Sequence, residues 1–371
     1  MMTAERREIS VAARLARGLA LSFASIAATV ALGATALALA AHAWTWVQLG
    51  VALIVVFVAG GTALVLPGRR RLRAFLLIIA LAGTARIVAA ALPRAPVVNA
   101  GALVKTRYAR SPGEARLLWG GIPESETVAL GAWVGLSPEE SKQGGPAIGD
   151  AYSEIAKAGL FEREESPLLD SWLLDREHFW LALPAARSGP VPLVVFVHGN
   201  GGTFQFYPWL LAKEATARGF AIAFASNGFG FWEGRDAAGR IGRIVDAVSR
   251  ETPVDRSRVS LVGLSAGGPG IFGAALEEPG KYRSLVAVSC IFPDLAAAER
   301  LRGARVLILH GTEDPRASIE GARRASSELA RAGVPVELVE EPGEGHLAFL
   351  TRRESWVPRL LDWLACDARN R

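Results

Sequence analysis

Apolar residues are distributed along this chain in two different ways. Near the N-terminus they form long blocks. Leu19–Ala41 and Val47–Leu66 both lie between Arg17 and Arg69, a window with no Asp, Glu, Lys or Arg inside it. Each block has the ~20 residues a helix needs to cross a hydrocarbon core. The linking HAWTW places Trp44 and Trp46 where amphipathic rings suit a membrane–water interface. A third block, Ala74–Leu92, contains Arg86, a costly residue within a span but one that neighbouring Leu, Ile and Val can offset. The pattern therefore predicts two or three transmembrane helices over residues 1–92, with spans at about 19–41, 47–66 and 74–92. From about residue 170 the apolar positions instead form short runs separated by helical stretches. The runs at 178–183, 192–197, 221–226, 259–264, 285–290, 305–310 and 336–341 read as strands. Several are apolar throughout, as in strands buried on both faces of a parallel sheet. Intervening stretches such as PWLLAKEATARG and SIEGARRASSELARAG read as helices, giving an α/β layer architecture over 170–371.

Residues 93–169 differ from both regions. They are rich in Gly, Pro, Ser and Glu and read as a juxtamembrane connector with one short helix, from an Asp150 cap to Gly159. Arg6, Arg7, Arg14 and Arg17 precede the first span, and Arg69, Arg70, Arg71 and Arg73 precede the third. The positive-inside rule puts both clusters, and the N-terminus, in the cytoplasm. Three spans then place the α/β part on the non-cytoplasmic side, and two would leave it cytoplasmic. The bilayer is thus one expected partner.

Composition narrows the chemistry. A net charge of +5 over 371 residues, with no basic run interleaved with aromatics, gives no nucleic-acid footprint. Cys290 and Cys366 fit neither a zinc pattern nor a CxxC pair. No cluster of ligating residues implies a metal, and no cofactor is expected. Gly268, Gly270 and Gly273 spell GxGxxG with Asp294 beyond. The first of these glycines nevertheless lies several residues past the strand end, away from the tight turn that dinucleotide binding requires.

In a parallel sheet, ligands bind beyond the carboxyl ends of the strands. Four strand ends carry chemistry: HGNGG (198–202), LSAGG (264–268), GTEDP (311–315) and PGEGH (342–346). A serine, an acid and a histidine therefore share one sheet edge. A serine hydroxyl needs an adjacent base, and that base needs a partner to fix its tautomer. Gly263 and Gly267 flank Ser265 in a GxSxG pattern between a strand and a helix, where larger side chains would clash.

The segment from about His178 to Ala365 resembles the α/β-hydrolase superfamily, in particular dienelactone hydrolase-like and carboxylesterase-like serine hydrolases. The matching pieces are VVFVHGNGG, VGLSAGG, LILHGTEDP and GEGHLAFL. The resemblance implies a mostly parallel sheet with helices on both faces. It implies Ser265 as nucleophile, His346 as general base and acid, and Asp314 as the residue orienting the histidine. Backbone N–H groups of Ala266 and Asn200 would form the oxyanion hole. His310 ranks behind His346 as base, and Glu313 and Asp294 rank behind Asp314 as acid.

The loops TFQFYPW and NGFGFWEG offer Phe204, Phe206, Tyr207, Trp209, Phe229, Phe231 and Trp232 as walls of an apolar cleft. Packing beneath helices is the competing role for these rings. Only about fourteen residues separate the strands at 285–290 and 305–310, too few for a large lid. The expectation is a membrane-anchored serine hydrolase acting on a small-molecule carboxylic ester through an acyl-enzyme. Peptide hydrolysis, acyl transfer and a non-catalytic membrane scaffold are the alternatives.

Overall fold

The computed structural model describes residues 178–369 with short omissions at 186–188, 201, 203, 205, 228–231 and 233–234. It also describes parts of 22–35, 44–65, 74–84, 103–108 and 144–155. The centre is an eight-stranded sheet in the order β1-β2-β4-β3-β5-β6-β7-β8. Its strands are β1 (Leu103–Tyr108), β2 (His178–Leu183), β3 (Val191–Val197), β4 (Ala221–Ala225), β5 (Val254–Leu264), β6 (Ser284–Val288), β7 (Arg305–Gly311) and β8 (Val336–Glu341). The β1/β2 and β2/β4 pairs are antiparallel, and every later pair is parallel.

Parallel pairing requires crossovers, and α2 (Phe206–Ala217), α3 (Arg235–Glu251), α4 (Gly268–Glu277) and α5 (Ile319–Arg331) lie in them, whereas β6 and β7 are joined through a 3-10 turn at Ala298–Leu301. The C-terminal α6 (Arg353–Arg369) follows β8, and α1 (Trp44–Val65) lies N-terminal to the sheet. Side chains alternate across β5. Val259 and Leu261 join one apolar cluster with Ile241 and Ile244 of α3, Phe272 of α4 and Leu329 of α5. Val262 and Leu264 join the other, with Leu211 and Ala215 of α2 and Leu360 and Leu361 of α6. Helices thus cover both faces, as the apolar strands β3, β4 and β6 require.

Two features extend the sheet and core beyond the segment expected to hold them. Strand β1 comes from the region read as a connector. Its Val104, Thr106 and Tyr108 are good strand formers, but alternating with Lys105 and Arg107 they gave no apolar run. Positions 144, 147, 148, 150, 151, 154 and 155 are helical, so Asp150 lies inside this helix instead of capping its start. Ile148, Ala151 and Ile155 are buried in the α2/α6-side cluster.

In the N-terminal region, described positions within 22–35, 44–65 and 74–84 are helical. Gly83 packs against α1, since a Cβ there would lie 2.8 Å from Val56 Cγ2 and 3.1 Å from the Ala52 carbonyl oxygen. Ile26, Val30, Leu32, Val58, Ile78 and Leu81 point outward, with Leu81 68% exposed. Among the described residues no helix is long and apolar enough to cross a membrane. Side chains of α1 are described only from 51 to 61, and Arg86 lies outside the described residues.

The central strand supplies a stability test. Leu261 is fully buried on β5. Leu261→Ala should cost about 2–5 kcal/mol through lost burial and a residual cavity, read by thermal melts. A loss under about 1 kcal/mol would contradict its place in a close-packed core.

Candidate active site

The sheet ends generate the site. β5 finishes at Leu264 in extended conformation, and the chain enters a 3-10 turn, Ser265–Gly267, that leads directly into α4. Ser265 turns the corner with φ 52°, in the left-handed region that side chains rarely occupy. Such a conformation costs ~1–3 kcal/mol and persists only where surroundings enforce it. Here the enforcement is steric. A Cβ on Gly267 would lie 2.4 Å from the Val197 carbonyl oxygen, and one on Gly263 would lie 2.9 Å from that of Gly267. A Cβ on Gly268 would lie 2.0 Å from the Ile291 carbonyl oxygen. Pro269 sits in the first turn of α4, where its missing N–H costs nothing.

The neighbouring strand end braces the turn. Ile291 N–H donates to the Ser265 carbonyl at 3.0 Å, and the Cys290 thiol donates to the Gly263 carbonyl at 3.1 Å. Burial pushes the Cys290 pKa up, so this thiol stays protonated and unreactive.

Acid and histidine arrive on two loops that are joined to each other. Thr312 N–H donates to Glu341 O and Glu313 N–H to Glu344 O, both at 3.0 Å. Gly343 N–H donates to Thr312 Oγ1 at 2.9 Å. Gly311 allows the approach, since a Cβ there would meet the Glu344 carbonyl oxygen at 2.2 Å. Within this frame Asp314 is held from both sides. Its Oδ1 accepts the N–H groups of Arg316 and Ala317, each at 2.8 Å. Its Oδ2 lies 2.8 Å from His346 Nδ1, and His346 Nε2 lies 2.9 Å from Ser265 Oγ. Ser265, Asp314 and His346 are all buried.

A carboxylate accepts only, so His346 Nδ1 carries the proton and Nε2 is left as acceptor for the serine hydroxyl. That tautomer lets the imidazole take the Ser265 proton as the oxygen attacks, while Asp314 stabilises the imidazolium that forms.

The other predicted residues divide. The loop at Gly199 passes against the serine, with a Cβ there 3.0 Å from Ser265 Cβ. Asn200 follows at this loop, and Ala266 is fully buried in the turn after Ser265. His198 secures the loop. Its Nδ1 lies 2.5 Å from the Gly199 carbonyl oxygen, and its Nε2 accepts the Asn227 N–H at 2.9 Å.

Phe204, Phe206 and Tyr207 form one aromatic group, with Phe206 stacked on Phe349 at 5.8 Å. They belong to the α2/α6-side cluster, whereas Trp232 lies in the opposite one, against Gly270 and edge-on to His198. These rings are therefore core residues on two faces and do not form one cleft wall. Trp209 is only partly buried against the α2/α6-side cluster. Phe229 and Phe231 lie outside the described residues. His310, Glu313 and Asp294 do not take the places of His346 and Asp314. Among the described residues no three His, Cys, Asp or Glu side chains converge as metal ligands.

Residues 292–370 match the model of the prolyl oligopeptidase family. No curated protein matches the chain. Among solved structures it is similar to a thermostable esterase, 20% identical over 51% of this chain and 58% of that one, with TM-score 0.44. An acylaminoacyl peptidase of Pyrococcus horikoshii is 16% identical over 51% of this chain and 39% of that one, with TM-score 0.43. A dienelactone hydrolase-like promiscuous phosphotriesterase from metagenomic libraries is 20% identical over 51% of this chain and 93% of that one, with TM-score 0.44. The chain thus spans less than two thirds of the length of the first two.

The elbow geometry is open to test. Gly267→Ala drives a Cβ into the β3 backbone and must displace Ser265 from His346. A misplacement of ~1 Å costs ~10²-fold in rate, so labelling by a fluorophosphonate should slow by about that factor. Labelling at the parental rate would contradict the geometry. Residues 292–370 resemble the prolyl oligopeptidase family, and the hydrogen-bonded line from Ser265 through His346 to Asp314 is an arrangement that can activate a serine hydroxyl as a nucleophile.

Proposed function

We propose that the protein hydrolyses small carboxylic esters through an acyl-enzyme on Ser265, and that its N-terminal helices tether it to a membrane. The single observation carrying the first part is the 2.9 Å contact between Ser265 Oγ and His346 Nε2, with Asp314 behind the ring. Ser265 Oγ attacks the ester carbonyl and His346 takes its proton. The N–H groups of Ala266 and Asn200 receive the developing oxyanion. His346 then protonates the departing alcohol, and water repeats the sequence to release the acid. The short connection from β6 to β7, residues 289–304, leaves no room there for a large lid and favours compact esters. Peptide hydrolysis is the second reading, favoured by the family matched over 292–370.

The tether rests on the outward-facing apolar side chains Ile26, Val30, Leu32, Ile78 and Leu81 and on α1, which has no acidic residue in its first turn and no basic residue in its last. Water disfavours a surface of this kind. With three spans the sheet would lie on the non-cytoplasmic side.

Full-length protein in detergent should release nitrophenol from short-chain esters far faster than it releases nitroaniline from the matching anilides. Ser265→Ala should remove all but a residue of the ester activity, a drop of ~10³-fold or more. Preference for the anilide would favour the peptidase reading, and turnover independent of Ser265 would overturn both. In cells the protein should stay with membranes through an alkaline wash, and release into the supernatant would contradict the tether.

A further inference from the structure

A second histidine lies beside the acid without touching the serine. His310 ends the apolar run of β7 and is fully buried. Its Nε2 lies 2.6 Å from the Ala317 carbonyl oxygen and 3.5 Å from Asp314 Oδ2. A carbonyl oxygen accepts only, so Nε2 carries the proton. Both backbone polar groups of Ala317 are therefore held: its N–H by Asp314 Oδ1 at 2.8 Å, its C=O by His310. Among the described residues, His310 Nδ1 is buried with no hydrogen-bond partner. A second proton there would be a buried donor without an acceptor, next to a ring already out of water. Burial accordingly lowers the pKa of His310, outweighing the upward pull of the Ala317 hydrogen bond, Asp314 and Glu340, while His346 pushes it down further.

These contacts answer a specific problem. The turn carrying Asp314 needs a donor inside the core to fix it. A cationic donor 3.5 Å from the carboxylate would compete with His346 for its charge and weaken the base that serves Ser265. A neutral imidazole supplies the hydrogen bond without the charge.

We propose that His310 is a positioning residue for the acid of the triad: it clamps the 314–317 turn through Ala317 and stays uncharged, so that Asp314 acts on His346 alone. The proposal rests on the serine-hydrolase reading of the Ser265–His346–Asp314 line and names a further residue that tunes it.

The test compares His310→Phe and His310→Gln in the full-length protein, with the active fraction counted from the fluorophosphonate-labelled serine. Phe fills the space and lacks the donor, whereas the Gln amide reaches the region of His Nε2 and keeps it. Per active serine, His310→Phe should lose ~10-fold or more in kcat, part of the ~10²–10⁴ that positioned acid–base catalysis supplies, with KM little changed. Its acid limb of kcat/KM should move to lower pH, because a loosened Asp314 stabilises the His346 imidazolium less. His310→Gln should restore both kcat and the limb toward those of the parent.

A merely structural role would lower the melting temperature and the active fraction and leave the limb in place. That result in folded His310→Phe would overturn the proposal. If His310→Phe does not fold, His310→Asn replaces it, with an amide too short to reach Ala317 O; an unshifted limb there is equally contrary, as is a shifted limb in His310→Gln. An inactive parent with no labelling would instead refute the hydrolase reading on which the proposal rests.

Discussion

The left-handed backbone of Ser265 is the constraint on which the rest of the site depends. A chain leaving a buried parallel strand has little room to turn into a helix that must lie back on the same sheet. Its first residue beyond the strand takes φ 52°, a conformation the serine would leave if it were free to do so. Strand β3 and the turn after β6 hold it there. The glycines at 263, 267 and 268 occupy sites where any Cβ would meet backbone within 3.0 Å. Strain is thereby stored in one residue, whose hydroxyl is presented at the sheet edge toward His346.

The second constraint is that acid and base are not independent. The loops after β7 and β8 are tied by three hydrogen bonds before either functional side chain is considered. The separation between Asp314 and His346 is thus set by strand pairing and loop zippering, and side-chain contacts refine it. Such preorganisation lowers the reorganisation needed when charge develops on the imidazole. It also explains why the buried carboxylate is tolerated: Asp314 receives two backbone N–H groups and an imidazole N–H, which replace the water it has lost.

Much of this was legible in the sequence, for identifiable reasons. Strands β2 and β8 run over the residues their patterns predict, 178–183 and 336–341, because a run bounded by turn residues has few alternatives. Ser265, Asp314 and His346 stood out because each follows a strand, and a parallel sheet collects those ends on one edge. Strand β1 did not stand out, since Lys105 and Arg107 interrupt its apolar pattern and its pairing with β2 is a long-range choice. The burial of Ile148, Ala151 and Ile155 was hidden for a similar reason: a short helix in Gly-rich sequence acquires its apolar face only when a core is present to receive it. The aromatic loops misled because composition does not say which face a ring will take. His310 read as a weak rival to His346, and its place depends on a tautomer and a turn that no spacing reveals.

The central claim is that Ser265 is the activated nucleophile, and it is tested most directly by locating a covalent adduct. Full-length protein treated with a fluorophosphonate, digested and analysed by peptide mass spectrometry should carry one phosphonyl group. The modified residue should be Ser265, within the peptide that spans the end of β5 and the start of α4. An adduct on Ser289 or another hydroxyl, or an unmodified Ser265 in folded protein, would contradict the account.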